Sequence, residues 1–284
     1  MYLADGVARR GGKADAQSAR LQGAADGVFG KLGGVVLVAQ VREQNVARAR
    51  ADALDGEFRR SYWHLDFMWG FAGIDEIELD HGYYFQGEET THGSIRVSGK
   101  ISGENHPFVE HYKFVKQFED ENCIARQTMP APAQLLAELY REDNGKNTDA
   151  VYPDHEQLLQ DIAAAYRTVI RDLYDAGCRS IQFDDCTWGM YCDTTFAAQI
   201  GLKPDDIQKI CELGVRLNNA AIEDQPDDLA INTHVCRGNY HSTYAFEGSY
   251  DPIAPYLFAK ENARAFYLEF DTPRAGGFES LAHI

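Results

Sequence analysis

The feature that most constrains the fold is an alternation of helix-like and strand-like segments in the second half of the chain. Apolar side chains recur three and four positions apart within residues 153–176, at Leu159, Ile162, Tyr166, Val169, Ile170 and Leu173. This spacing is typical of a helix with one buried face. Gly177 follows the last apolar residue, and glycine commonly ends a helix. The apolar run that comes next predicts a strand at residues 180–183.

The same alternation extends in both directions along the chain. Further helices are predicted at 134–140, 204–223 and 253–262, and further strands at 123–128, 229–233 and 265–270. Helices that alternate with strands predict an α/β fold with a parallel sheet, either open or closed into a barrel. Residues 92–118 instead alternate around glycines, which predicts a β-hairpin or meander inserted into the larger scaffold.

Composition excludes several classes of partner. The formal net charge of -17 disfavours nucleic acid and anionic membrane surfaces, because binding phosphate groups needs a surplus of Lys and Arg. No apolar run approaches the roughly 18 residues of a membrane span. Arg9 and Arg10 are not followed by the apolar stretch of a secretory signal, so we expect a cytoplasmic protein. The six cysteines show no CxxC spacing, which in a reducing compartment indicates free thiols.

The N-terminal part of the chain differs from the rest. Residues 1–54 are rich in Gly, Ala and Arg, and they contain no sustained apolar pattern apart from a short strand-like run at 35–39. They are either a poorly packed start or a basic docking arm. Aromatic residues become frequent after Asp55, so the folded domain is expected to cover residues 55–284.

Reactive side chains fall where the predicted strands end. Asp184 and Asp185 end one strand, His234 and Cys236 end the next, and Glu269 ends the third. The carboxyl ends of parallel strands form one face, where active sites of such proteins are built. These side chains are therefore expected to converge.

The spacing of two of these residues favours a metal site. His234 and Cys236 are two positions apart, so both side chains leave an extended strand on the same face. Imidazole, thiolate and the carboxylate of Glu269 are ligands suited to zinc, and a three-ligand site leaves a position open for catalysis. Such a zinc ion would ionise either a thiol or a water molecule. The alternative interpretation is an ordinary core histidine beside a buried cysteine.

Two further carboxylates are candidates for binding a substrate. Glu57 and Asp184 together would hold the ammonium group of an amino acid well. The alternative for Asp184 is a helix cap, since an aspartate at a strand end often caps the next helix.

Four motifs, in order, resemble the cobalamin-independent methionine synthase family. The resemblance is carried by Asp55-Gly56-Glu57-Phe58-Arg59-Arg60 with Tyr62-Trp63, Ile181-Gln182-Phe183-Asp184-Asp185, Thr233-His234-Val235-Cys236 and Phe266-Tyr267-Leu268-Glu269-Phe270-Asp271. It covers about Asp55 to the C-terminus and is closest to the short, single-barrel relatives, which match the C-terminal catalytic half of the full-length enzyme.

This resemblance implies a fold, a cofactor and a reaction. The implied fold is a (β/α)8 TIM barrel whose zinc binds homocysteine as a thiolate and passes it a methyl group from a folate or another donor, forming methionine. His234 and Cys236 match the family's paired ligands, and Glu269 matches its glutamate ligand. Glu57 and Asp184 match the residues that hold the homocysteine amine.

The chain also departs from the family pattern. No cysteine follows Cys236 in the place of the fourth zinc ligand, so we expect a barrel incomplete at its C-terminal end that binds zinc weakly. Cys186 or His241 could supply a substitute ligand. Trp188 and the tryptophans at 63 and 69 are candidates for a flat surface against a pterin ring. The general acid, the methyl donor and the oligomeric state are not identified by the sequence.

Two other functions stay open. One is a decarboxylase related to uroporphyrinogen decarboxylase, which needs no metal and would leave His234 and Cys236 without a role. The other is a truncated family member without catalysis, which would transfer no methyl group even with zinc in excess.

Overall fold

A computed structural model describes residues 62–270 and 272–284, together with the backbone of two short strands at Val36–Ala39 and Ala53–Leu54. The boundary predicted near residue 55, most of the N-terminal segment 1–54, and Glu57 lie outside the described residues.

Strands and helices alternate along most of the described chain. The strands are β1 (Val36–Ala39), β2 (Ala53–Leu54), β3 (Ala72–Glu78), β4 (Gly93–Ser102), β5 (Ile124–Ala125), β6 (Gln127–Pro130), β7 (Ser180–Asp184), β8 (Ala230–Val235), β9 (Asn239–Tyr240), β10 (Thr243–Tyr244) and β11 (Ala265–Leu268). The helices are α1 (Leu65–Met68), α2 (Pro107–Lys116), α3 (Pro132–Leu139), α4 (Asn144–Val151), α5 (His155–Asp175), α6 (Cys186–Cys192), α7 (Thr194–Gln199), α8 (Pro204–Ala221) and α9 (Ala254–Lys260). Short 3-10 turns follow at Pro273–Ala275 and Glu279–His283.

The central element is a five-stranded sheet in the order β1-β11-β8-β7-β6, with every neighbouring pair parallel. This confirms the predicted α/β class with a parallel sheet. Its register aligns Asp184 on β7 with His234 on β8, and His234 in turn with Tyr267 on β11. Closure into an eight-stranded barrel stays a prediction.

Helix α5 forms where the spacing of apolar residues predicts a helix. The predicted stripe is buried, with Ile162, Tyr166 and Val169 inaccessible to solvent. Asp154 caps the helix, because its Oδ1 accepts from the backbone N–H of Glu156 at 3.0 Å. Gly177 ends it with φ near +95°, a conformation that L side chains rarely adopt. The helix thus occupies almost the range that its apolar spacing predicted.

The region predicted as a β-hairpin or meander is a hairpin followed by a helix. β4 pairs antiparallel with β3, so a hairpin is present. The strand prediction is wrong for residues 107–116, which form α2. His106 caps this helix by accepting from Phe108 N–H at 3.2 Å, and Pro107 stands at its first position. The buried face is helical, because Phe108, Tyr112 and Val115 are three and four residues apart.

Two apolar cores hold these layers together. The first joins the hairpin, α2, α3 and α5 to one face of the sheet. The second lies around Trp188 and Phe266, between α6, α9 and the β8 and β11 strands. The carboxyl ends of β7, β8 and β11 therefore rest on packed helices. Within the part of the chain that the structure describes, no helix combines the length and apolar character required to cross a bilayer.

Candidate functional site at the strand ends

Four of the predicted site residues lie at one edge of the parallel sheet. Asp184 is the last residue of β7, and His234 is the second-last residue of β8. Cys236 and Glu269 directly follow β8 and β11. Because neighbouring parallel strands end at the same edge, the register places the four residues side by side. The fifth residue, Glu57, lies outside the described residues.

His234 and Cys236 form the centre of this edge. His234 Nδ1 lies 3.0 Å from the carbonyl oxygen of Tyr267, so Nδ1–H donates to that carbonyl and Nε2 is left for another contact. Burial lowers the pKa of His234, but its hydrogen bond with Cys236 and the nearby charge of Asp184 outweigh burial and raise the pKa to about 9. The contacts around His234 therefore favour its protonated form.

The thiol of Cys236, in contrast, is placed where losing its proton is favoured. Its Sγ lies 3.4 Å from Cys186 Sγ, and Gly238 N–H donates to it at 3.2 Å. The hydrogen bond from Cys186 holds the pKa of Cys236 well below its ordinary value, against the effect of burial and with help from His234. These contacts favour a thiolate at Cys236 beside a protonated His234, an arrangement typical of reactive cysteines. Binding a metal ion would require His234 to lose that proton, because only neutral imidazole is a ligand.

The two substitute ligands proposed from sequence differ in position. Cys186, the first residue of α6, is in contact with Cys236. His241 instead lies at the surface, where its Nδ1 is 3.4 Å from Glu88 Oε2 and its ring stacks on Tyr240. Cys186 is therefore the closer of the two to the candidate site.

Asp184 is held by a polar chain inside the sheet. Gln182 Nε2 donates to Asp184 Oδ1 at 2.7 Å, and Arg126 donates to the Gln182 side-chain oxygen. Only 9% of Asp184 is exposed. Gln182 and Arg126 were missed at the sequence level, although Gln182 lies two residues before Asp184 and so points to the same face.

Glu269 is engaged by protein groups. Its Oε2 accepts from Arg237 N–H at 3.0 Å and from Asn239 Nδ2 at 3.3 Å, and its Oε1 pairs with Arg274. Burial raises the pKa of Glu269, but the Arg274 charge and the hydrogen bonds from Arg274, Arg237 and Asn239 together outweigh burial, so the net shift is downward. The ionised carboxylate is therefore already satisfied by a cation and two N–H donors.

The donor set fits a zinc site only in part. His234 and Cys236 supply a nitrogen and a sulfur that suit zinc, and the Nδ1–H contact of His234 is the usual support of a metal-bound histidine. Glu269 would have to leave Arg274 to become a third ligand. Among the residues that the structure describes, no group of three or more His, Cys, Asp or Glu side chains is arranged to hold a metal ion.

Asp185 caps a helix and belongs to a buried hydrogen-bond network. Its Oδ1 accepts from Thr187 N–H at 3.1 Å, which caps α6, and its Oδ2 accepts from Asn218 Nδ2 at 3.0 Å. Asn218 also contacts Glu261, a second buried acid whose Oε1 accepts from Thr233. This network, which the sequence did not reveal, fixes α6 against the ends of β7 and β8.

The three tryptophans proposed for pterin stacking occupy different environments. Trp188 is fully buried in the second core, so its faces pack against protein. Trp69 is half-buried and donates through Nε1 to Ser94 O at 3.1 Å, and Trp63 stacks obliquely on His64. Trp63 and Trp69 thus keep partly exposed surface, whereas Trp188 does not.

Comparison with known proteins gives relatives at about one-third identity. The uncharacterized proteins YxjH and YxjG of Bacillus subtilis are 34% and 35% identical over 231 and 234 residues, which is 81% of this chain in each case. The matched region spans 59% of the length of both relatives. No family model matches the sequence.

Two solved structures share the fold. One, from Listeria monocytogenes, is a protein provisionally identified as a vitamin-B12-independent methionine synthase; it is 33% identical, with a TM-score of 0.56 over 77% of this chain and 56% of that chain. The other, a B12-independent methionine synthase from Shewanella in complex with selenomethionine, is 17% identical, with a TM-score of 0.50 over 73% of this chain and 55% of that chain. The chain therefore resembles the vitamin-B12-independent methionine synthases in fold, and it resembles the Listeria protein in sequence as well.

Proposed function

We propose that this chain is a zinc-dependent methyltransferase of the vitamin-B12-independent methionine synthase family, acting on the thiol of homocysteine with a folate or another methyl donor. Support comes from one observation above all: an imidazole, a thiolate and a carboxylate meet at the ends of β8 and β7, at His234, Cys236 and Asp184. Identity of 33% to the Listeria protein adds to this support. Completion of a (β/α)8 barrel and a cytoplasmic location are parts of the same proposal.

Each residue has a distinct task in this proposal. His234 and Cys236 would hold zinc, with Glu269 as a third ligand once it separates from Arg274. Bound zinc supplies a Lewis acid that ionises a thiol near neutral pH. Asp184, held in place by Gln182, accepts hydrogen bonds from the substrate ammonium group. Glu57 is the second carboxylate proposed for that ammonium group.

The protein environment would favour thiol transfer in two ways. The buried edge excludes water from the Cys236 sulfur, since Cys236 is 6% exposed. Asp184 lies beside His234 in the register, so an amino acid whose ammonium group binds Asp184 would lie next to the proposed metal ligands. The geometry thus favours a substrate that combines an amine with a thiol.

Homocysteine binding to the full, zinc-loaded chain tests this function. We expect binding to release a proton, because the thiol ionises, and calorimetry in buffers of different ionisation enthalpy measures that release. Asp184→Asn should weaken binding by about tenfold, as expected for a charge-assisted hydrogen bond of 1.4 kcal/mol or more. Cys178→Ala is a matched control, because Cys178 is buried just before the opposite end of β7.

The outcomes separate the candidate functions. Proton release that disappears in Cys236→Ala but not in Cys178→Ala supports thiol activation at this edge. Homocysteine binding without proton release, and equal in Asp184→Asn, would contradict it. One observation favours the alternative of a member without catalysis, namely the pairing of Glu269 with Arg274. That alternative predicts no methyl transfer even with zinc in excess.

A further inference from the structure

The thiols of Cys186 and Cys236 are brought together by strand register. Asp184 on β7 is aligned with His234 on β8, and each cysteine lies two residues after its member of that pair. The ladder continues past β7, since Asp185 N–H donates to His234 O at 2.9 Å. The two sulfurs are 3.4 Å apart, although 50 residues separate them in the sequence.

The backbone around this thiol pair suits a disulfide. Both cysteines lie just beyond the paired strands β7 and β8. Neighbouring strands are spaced by about 4.8 Å, a distance within the Cα separation of about 4.4 to 6.8 Å that disulfides adopt. The sulfurs would need to approach by about 1.4 Å to reach the bond length of about 2.05 Å. Rotation about the two Cα–Cβ bonds can supply a movement of this size without displacing a strand.

Close packing keeps the two cysteines in register. A Cβ added at Gly189 would stand 2.5 Å from the carbonyl oxygen of Cys236, so α6 rests directly on the backbone after β8. Asp185 fixes the start of the same helix through Thr187. Cys236 is nearly inaccessible, whereas Cys186 is partly exposed, so a small oxidant reaches the pair from the Cys186 side.

We propose that Cys186 and Cys236 are an oxidative modification site that forms a reversible disulfide with a peroxide as oxidant. One thiolate attacks an oxygen of hydrogen peroxide, the O–O bond breaks, and a sulfenic acid and a hydroxide form. The hydroxide takes up the proton that the thiol released on ionising and becomes the first water. The second thiol then attacks the sulfenic sulfur, the S–O bond breaks, and the hydroxide leaves as water with the thiol proton. Two thiols are oxidised by two electrons, and one peroxide is reduced to two waters.

The disulfide removes Cys236 from the candidate site. Only a thiolate is a nucleophile and metal ligand, and the disulfide sulfur is neither. In so far as the proposed zinc-dependent function holds, the oxidised chain is expected to lose zinc binding and to regain it after reduction. The modification itself is independent of that function, since it needs only the two thiols and the peroxide.

Peptide mapping of the full chain tests the modification site. Reduced protein in a chelator is treated with hydrogen peroxide, digested without reductant and analysed by mass spectrometry. We expect a linked peptide pair containing Cys186 and Cys236, a loss of two titratable thiols, and full reversal by dithiothreitol. Cys186→Ser and Cys186→Ala should both abolish the link and leave a sulfenic acid at Cys236 that dimedone traps. Cys178→Ala is the control and should leave the link unchanged.

Three results would overturn the proposal. They are a sulfinic acid at Cys236 without a linked peptide, a link from Cys236 to another cysteine, and oxidation products that are the same in wild type and Cys186→Ser. Zinc binding to the reduced chain tests the proposed zinc-dependent function separately. If the link forms and the reduced protein binds no zinc, the modification site is supported and the zinc-dependent function is contradicted. If the reduced protein binds zinc and no link forms, the zinc-dependent function is supported and the modification site is contradicted.

Discussion

Replacing Glu261 with glutamine should remove a large part of the pH dependence of stability. Glu261 is buried at the end of α9, where its Oε1 accepts from Thr233 and its Oε2 lies 3.4 Å from Asn218 Nδ2. Burial, together with the charge of Asp185, raises the pKa of Glu261 from 4.5 to about 8. A glutamine keeps the size and shape of the side chain and cannot ionise.

The sign of the effect follows from proton binding. Between pH 4.5 and 8 the folded chain holds a proton on Glu261 that the unfolded chain has lost, so the free energy of unfolding falls as pH rises. This contribution is fully present below the unfolded pKa and is lost as pH rises through the folded pKa. Each pH unit contributes about 1.4 kcal/mol, which gives a loss of about 3 to 5 kcal/mol over the interval.

Urea unfolding of wild type and Glu261→Gln between pH 4.5 and 8.5, followed by tryptophan fluorescence, measures the difference. We expect the two proteins to have similar stability near pH 4.5, and the variant to become the more stable by about 3 to 5 kcal/mol near pH 8. The difference between the two curves cancels the titration of other groups. Parallel curves across this range would contradict the raised pKa, because they would mean that Glu261 is ionised in the folded chain.

Three further perturbations have defined outcomes. Gly189→Ala should destabilise the chain by about 1 to 3 kcal/mol in urea, because the added Cβ meets the carbonyl oxygen of Cys236; unchanged stability would contradict this close packing. Arg274→Gln should free the Glu269 carboxylate and tighten zinc binding by about tenfold in a chelator competition, whereas equal or weaker binding would exclude Glu269 as a ligand. Burial raises the pKa of Glu138 to about 7, so Glu138→Gln should flatten the loss of stability between pH 4.5 and 7, and an unflattened urea profile would contradict that shift.

Much of the fold was predictable because local signals agreed with tertiary structure. The α5 stripe and Gly177 defined a helix that the structure places at His155–Asp175. The strands β7, β8 and β11 lie where short apolar runs predicted them. The error at residues 107–116 arose from Phe114 and Phe118, which alternate with Tyr112 but are 45% and 61% exposed. The exposed aromatic residues of that helix therefore obscured, in the sequence, the helical spacing of its buried residues.

The candidate site was only partly predictable for a physical reason. Strand ends can be located from periodicity, so Asp184, His234 and Cys236 were identified in advance. Contacts between distant segments depend on register and on loop conformation, which periodicity does not encode. The Cys186 contact needs the alignment of β7 with β8, and the pairing of Glu269 with Arg274 needs the turn after β11.

Zinc binding by the full, reduced chain is the decisive measurement for the proposed metal site. Zinc should be titrated against a chromophoric chelator with wild type, Cys236→Ala and Cys178→Ala. We expect one weakly bound zinc per chain in wild type and in Cys178→Ala, and loss of that zinc in Cys236→Ala. Equal zinc binding by Cys236→Ala and Cys178→Ala, or no binding by any of the three, would contradict a zinc site at the ends of β8 and β11.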